Sequence, residues 1–599
     1  ARHDELRTAL RPLAISILLA FGNQAVALPT DPTVVAGQVS VSNRASNLVV
    51  RQSTSRAAID WRTFNIASNE WVRFEQPSSS ATMVNRVTTG NPSQILGRMS
   101  APGTLYLINP GGVIFGRTAT VDVNNLIASA LNANPQDLLA GRLNFSAPAG
   151  GTASVRNEGT ISSAPGGSVT LLGTQVGNSG TISTPGGTTG LIAGERVAVD
   201  FEGDGLVRYQ VDAAAAQAQI AHSGRIEADG GRVALQAGAR QALLDTVLNV
   251  DGIVRARGAT LRNGEIYLDG GRQGVVSVSG QLDASSPAQP QKGGDIRVLG
   301  DKVGLFGNAR LDASGVSGGG QVLIGGNYQG QGSEPNASHT YVGKNVSIAA
   351  DAITNGNGGK VIVWADDWTR YYGTISAQGG AQGGDGGFVE VSGKKNLAFD
   401  GRVSTSAPHG HGGALLLDPS DLYIGVDPSL TPSATELNPS PPGSSVFETP
   451  SPSNASYFVQ AGSLTANQNY TLSATQDIHF NSPVNFGSAA GNSVSITAAR
   501  NILWDNSYQN EVSTSGGHLT LESGVTMALG KINTGAGALI INNGGQATQY
   551  ASIDAGSLQK TGAGTLVLNQ TTNISGEVLV NAGTLKMSLD SVLPNNKTV

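Results

Sequence analysis

Apolar and polar residues alternate along most of the chain in short runs such as VALQA, IRVLG, VLIGG, VIVWA and VEVSG, each bounded by glycine-rich turns. That pattern predicts strands of about four to six residues with one face buried, not helices. The runs recur at a period. Gly159-Thr160-Ile161 returns 21 positions later as Gly180-Thr181-Ile182, while Gly224-Arg225-Ile226, Gly252-Ile253-Val254 and Gly280-Gln281-Leu282 stand 28 apart, as do Gly373-Thr374-Ile375 and Gly401-Arg402-Val403. Each unit has a second landmark, a glycine two positions before a branched apolar residue: Gly231 and Val233, Gly294 and Ile296, Gly320 and Val322, Gly359 and Val361, Gly387 and Val389. Strands this short cannot form a core alone. Stacked so that like strands pair in parallel, they bury their apolar side chains along one axis. The fold expected is therefore all-β, a right-handed parallel β-helix, or solenoid, with extra-helical hairpins and loops. A β-propeller would need about 40 to 45 residues per blade and recurring aromatic signatures, which the sequence lacks.

Three interruptions break the pattern. Residues 211–221 (VDAAAAQAQIA) read as a short Ala-rich helix with Asp212 as its N-cap. Residues 328–339 read as a protruding loop. Residues 427–456 are rich in Pro and Ser and can add little to a strand ladder, so they read as a linker or excursion. Alternation then resumes to the end. The expected units are a signal peptide at 1–27, a first domain at 28–285, a shaft at 286–426, the 427–456 segment, and a second β-helical block at 457–599.

Composition sharpens this picture. Glycine accounts for 81 of 599 residues, charged residues for 13% and aromatic residues for 5%, which excludes helical bundles and charge-driven disorder. A net charge of -6 without a basic cluster makes nucleic acid an improbable partner. Arg2, Arg7 and Arg11 precede an apolar run at 13–21, and Ala25 and Ala27 flank Val26 as a small-residue cleavage site, so the chain is expected to leave the cytoplasm. No later run reaches the roughly 18 to 20 apolar residues of a spanning helix. Cysteine is absent, which suits a chain that must still thread a narrow pore unfolded, since a crosslinked loop could not.

The stretch GTLYLINPGGVIFG, residues 103–116, places two apolar runs around Asn109-Pro110-Gly111-Gly112. By turn chemistry alone it is a β-hairpin. Its context is an ordered series: IDWRTFNI at 59–66 with Asn65, NEWVRFEQP at 69–77 with Gln76, VNRV at 84–87 with Asn85, ILG at 95–97, then INPGGVIFG. This series closely resembles the secretion domain of filamentous haemagglutinin-type exoproteins, the passengers of two-partner secretion, over residues 28 to the 280s. Where that family carries N-P-N-G-I, this chain has Gly111 and Val113 at the third and fifth positions. Gly111 is expected to keep access to positive φ there. VIVWADD, YYGTISAQGG, GGFVEVSG and ALLLDPSDLYI resemble the shaft that follows such domains, and residues 560–568 and 581–585 resemble autotransporter passenger repeats.

The resemblance implies an outer-membrane transporter with POTRA domains as partner. It also implies passage through the periplasm, folding at the surface, no cofactor, and attachment to host surfaces, biofilm matrix or neighbouring cells, with exopolysaccharide or host glycan as possible ligands. Asn65, Gln76, Asn85, Asn109, Pro110, Gly111 and Gly112 are the residues on which export should depend, by direct partner contact or by setting turns and ladder bonds. The strands carrying Val39, Val41, Leu48 and Val49 are expected to cap the open end of the solenoid. The alternatives are the stalk of a contact-dependent toxin or cytolysin, a haem- or haemopexin-binding exoprotein, and a polysaccharide-active β-helix. No catalytic or metal site is expected: Asp366-Asp367 and His409-Gly410-His411 read as turn residues.

Overall fold

A computed structural model describes residues 28–588 apart from 149–151, 153, 202–205, 240–245, 260–261, 289, 426–446 and 448–457. The signal peptide with Ala25 and Ala27, and the Pro/Ser-rich segment except Phe447, lie outside the described residues.

The chain winds into a parallel β-helix built from stacked ladders. A long ladder runs through Arg98–Ile108, Thr120–Ser129, Thr160–Gly173, Thr188–Ala193, Arg232–Ala237 and on, rung by rung, to Val578–Val580. A short ladder of triads stacks Ile161, Ile182, Ile226, Val254, Leu282, Leu311, Ile348, Ile375 and Val403 in one column. All nine are buried, none more than 4% exposed. A third ladder begins at Ser93–Ile95 and Val113–Phe115 and continues through Ser154–Asn157 and Gln175–Asn178 to Thr584–Met587. Period-two alternation sends every second side chain of each strand inward, and stacking makes identical positions neighbours, so the core is a set of columns. Burying each branched side chain contributes about 1.5–3 kcal/mol.

The rung follows its turns. Rungs from Ile226 to Val254 and from Val254 to Leu282 take 28 residues, whereas Leu519, Leu539, Leu558 and Val578 follow one another at 20, 19 and 20. The shorter rungs also use a separate ladder, Val512–Ser515, Ile532–Asn533, Ile553–Ala555 and Thr572–Ile574. The 427–456 segment does not break the stack: Ala414–Leu417 pairs with Asn469–Ala474 and Leu422–Gly425 with Ile478–Phe480. Phe447 returns from that segment to lie on Trp368, ring centroids 6.0 Å apart.

Antiparallel strands occupy the N-terminal end. Thr33–Ala36 pairs with Arg56–Trp61, and Val39–Arg44 with Asn47–Gln52, which then lies parallel to Trp71–Glu75. Leu48 and Val50 point into the core, with Val39 and Val41 partly buried against it, while Val49 faces away.

Residues 211–221 do not form a helix. Val207–Ala213 is a strand antiparallel to Arg196–Phe201, which also pairs with Asn144–Ser146, and Gln219–His222 joins the third ladder beside Gln175–Asn178. Ladder partners on both sides of the Ala run outweigh its helix propensity, a weak prior in a packed fold. The small external sheet sets the Tyr209 hydroxyl 2.7 Å from Thr170 Oγ1. An α-helix does occur at Pro135–Leu139, capped by Asn134, whose side chain accepts from Gln136 N at 2.9 Å.

Candidate secretion-motif site

The runs on either side of Asn109 do not pair with each other. Residues 104–108 end the long strand Arg98–Ile108 and lie between Thr82–Val87 and Thr120–Ser129, while Val113–Phe115 sits in the third ladder between Ser93–Ile95 and Ser154–Asn157. The hairpin reading therefore gives way to a corner that turns the chain from one sheet to the next.

That corner is closed by its own residues. Gly112 N donates to Asn109 O at 2.8 Å, a β-turn with Asn first, Pro second and Gly fourth, the order the commonest turn favours. Asn109, fully buried, accepts from Gly111 N at 2.9 Å through Oδ1 and donates through Nδ2 to Asn91 O and Ser93 Oγ, both at 2.9 Å. Gly112 holds φ at +112°, where a side chain is strained. Gly111 is not among the positive-φ residues. It is required for a different reason than its sequence suggests: a Cβ there would run into the carbonyl oxygen of Gly90.

Asn65 works on the same segment from the other side, its Oδ1 accepting from Gln94 N at 2.8 Å. Asn65 and Asn109 thus fix residues 91–94 between them. Gln76 belongs to a second cluster. Its Nε2 donates to Gln52 Oε1 at 3.1 Å and Ala81 O at 3.3 Å, and its Oε1 accepts from Gly103 N at 2.9 Å. Gln52 extends the chain of bonds to Thr54 O at 2.7 Å and Thr82 O at 3.1 Å. Asn85 stands apart inside the core, 1% exposed, accepting from Trp61 Nε1 at 3.0 Å and donating to Tyr106 O at 3.3 Å. Trp61 is itself fully buried, edge-on to Phe64 at 5.6 Å.

Sequence reading missed Gln52, Ser93, Trp61 and Tyr106 as partners. Gln52 was open to detection: Arg51 pairs with Glu75 across parallel strands, which puts Gln52 and Gln76 one step further in the same register. Beside these clusters Asp60 takes a two-point contact from Arg86 at 2.8 and 2.5 Å, and this bond raises the Arg86 pKa. Burial pushes the Tyr106 hydroxyl up to about 12.

Other acidic groups are engaged within the chain. Asp366 Oδ1 accepts from Trp364 Nε1 and Asn336 Nδ2, both at 3.1 Å, and Asp367 pairs with Lys395 at 3.1 Å. Asp421, Asp477 and His479 lie close enough to share an ion. Asp477, however, is already held by Arg500 and Asn501, and His479 Nδ1 by Asp505 at 2.7 Å. This is the arrangement of a surface charge network, and it assigns no metal.

Residues 25–284 match the TPS secretion domain family. The chain is 41% identical over 102 residues to a heme/hemopexin-binding protein of Haemophilus influenzae strain Rd, and 39% identical over 102 residues to another Haemophilus influenzae protein of that name. Each match covers 17% of this chain and 11% of the relative, so the shared part is a small fraction of those proteins. The crystal structure of the HMW1 secretion domain from Haemophilus influenzae is similar with a TM-score of 0.55 at 28% identity, over 63% of this chain and 99% of that one.

Proposed function

We propose, from the TPS secretion domain at residues 25–284, that the chain is a two-partner secretion exoprotein, and on that premise how it is exported and what it does outside. A cognate outer-membrane transporter carrying POTRA domains receives the secretion domain before it folds. The chain emerges and closes its ladders at the surface, and the exposed solenoid attaches the cell to host surfaces, biofilm matrix or neighbouring cells.

One observation carries the export reading. The side chains of Gln76, Asn85 and Asn109 are spent on bonds inside the folded domain, and Asn65 commits its Oδ1 there as well. A partner that reads them must therefore meet the chain while it is still extended. Once folded, the same groups lock the first rungs, and release from the transporter follows from folding itself.

Secretion of residues 28–425 behind a signal peptide, with and without the transporter, tests this. Wild type should reach the medium only with the partner, and Asn109→Ala should stall. Ile348→Ala, which opens a core gap far from the motif, is the control for foldability. If it stalls equally, the motif acts through folding and not as an address. Secretion without any partner overturns the reading.

The names of the Haemophilus relatives favour a second reading, capture of haem or haemopexin. Retention of the secreted chain on haem- or haemopexin-coated beads decides it.

A further inference from the structure

Beside the long ladder runs an open groove of about 860 Å³. Its floor is a file of paired glycines, 293–294, 319–320, 358–359, 386–387 and 412–413, one pair per rung, each just before a long-ladder strand. Stacking alone demands these glycines: a Cβ on Gly359 or Gly387 would enter the carbonyl oxygen of Gly320 or Gly359 one rung below. They bare the floor but do not by themselves indicate a ligand.

What stands over the floor is not demanded by the ladder. The loop at 325–338 leaves the stack after Gln321–Ile324 and returns at His339–Val342. Within it Gln329 holds φ at +51°, a left-handed conformation in a residue with a side chain. Its N–H is fixed on the carboxyl group of Glu390 at 3.1 and 3.2 Å, Asn327 Nδ2 donates to Glu334 at 2.9 Å, and Asn336 Nδ2 donates to Gly330 O at 2.9 Å. The result of this bracing is the position of Tyr328. It is 38% exposed at the groove, 5.7 Å from the Phe388 ring, with Lys360 Nζ 5.6 Å from its own ring centre. A strained residue braced so that an aromatic ring stays at the surface is the kind of local cost that persists at functional sites.

We propose that this groove binds an extended glycan lying along the helix axis, its sugar rings against Tyr328 and Phe388 and its hydroxyls on Gln321 and Lys360. Five rungs at ~4.8 Å give a trough roughly 20 Å long. The glycine of each of these pairs that adjoins its strand offers an incoming peptide little to pair with. Gly320 O, Gly359 O and Gly387 O accept from Lys360 N, Phe388 N and Ala414 N at 3.0 Å, and Gly359 N and Gly387 N donate to Ala350 O and Ala377 O. Recognition must come from side chains, and rings beside amide and ammonium groups suit a chain of alternating apolar faces and hydroxyls. The inference rests on the attachment reading and supplies its ligand class.

The test uses the secreted chain in calorimetric titration with cellohexaose, maltohexaose, a hexamer of galacturonic acid and a deca-proline peptide. Wild type should bind at least one hexasaccharide, with affinity falling about tenfold in Tyr328→Ala and in Ala414→Trp, which fills the floor from its rim. Thermal melts confirm that both variants fold. The inference is overturned if no hexasaccharide binds, if both variants bind as wild type does, or if only the proline peptide binds. Attachment of cells bearing wild type or Tyr328→Ala separates it from the broader reading: attachment without glycan binding removes the groove alone, and glycan binding without attachment removes the role outside the cell.

Discussion

Asn109 shows how much one side chain holds in this molecule. Its removal leaves Gly111 N, Asn91 O and Ser93 Oγ without the partner they have now, and each buried group left unsatisfied costs about 1–3 kcal/mol. Asn109→Ala should lower the urea midpoint of the refolded secretion domain, whereas Pro110→Ala, which disturbs none of these bonds, should lower it far less. His222 offers a second residue-scale test. It continues a buried polar column in which Asn157 Nδ2 donates to Asn178 Oδ1 at 2.8 Å and Asn178 Nδ2 donates to His222 Nδ1 at 3.1 Å, and its Nε2 faces Ile253 O at 3.2 Å. Burial lowers the His222 pKa below 6.5. The unfolded chain therefore binds a proton that the folded one refuses, so stability is full above pH 6.5 and falls as the pH drops below it. Urea midpoints at pH 7.5 and pH 5 should differ less in His222→Gln than in wild type. The asparagines two positions before Gly159 and Gly180 were visible as a repeat; the bond from Asn178 to a histidine 44 residues on was not, because an external sheet is inserted within that rung.

At the scale of elements, the landmark legible in the sequence was also the structural one. The glycine two places before a branched residue, as at Gly320, Gly359 and Gly387, is the column where one rung's backbone touches the next, so pattern and cause coincide. Gly359→Val should destabilise by about 3 kcal/mol through overpacking, seen as a lower melting temperature. The same substitution at Gly462, where a Cβ meets nothing within 4 Å, should have little effect. What the pattern could not give were contacts between turns. Asn109 meets Asn91 and Ser93 because two corners stack, and the elastic period hides which corners those are. The Ala run at 213–218 misled for the opposite reason, since local propensity was clear and the ladder overruled it. Tyr209 marks that sheet, its hydroxyl pKa raised beyond the ordinary tyrosine range by burial. Tyr209→Ala should loosen the strands Arg196–Phe201 and Val207–Ala213 and leave the ladders intact, which amide hydrogen exchange can read.

The whole molecule is a stack in which each rung touches chiefly its neighbours, so folding can propagate from a formed end. The antiparallel strands at 33–52 meet the first parallel rungs, and no described helix is long and apolar enough to cross a membrane. Pulse-labelled hydrogen exchange during refolding should show protection spreading between adjacent rungs, and uniform protection at a single rate would contradict it.

The same neighbour-only stacking bears on how the molecule would answer a pull. Hydrogen bonds within a ladder lie along the axis, so tension applied to one terminus peels the outermost rung before loading the next. A rung of 28 residues, such as that from Ile226 to Val254, releases about 90 Å of slack when it opens. A cell tethered through such a chain would meet a drag surge with a run of small yields in place of one rupture, and would be drawn back as the rungs rewound when the flow eased.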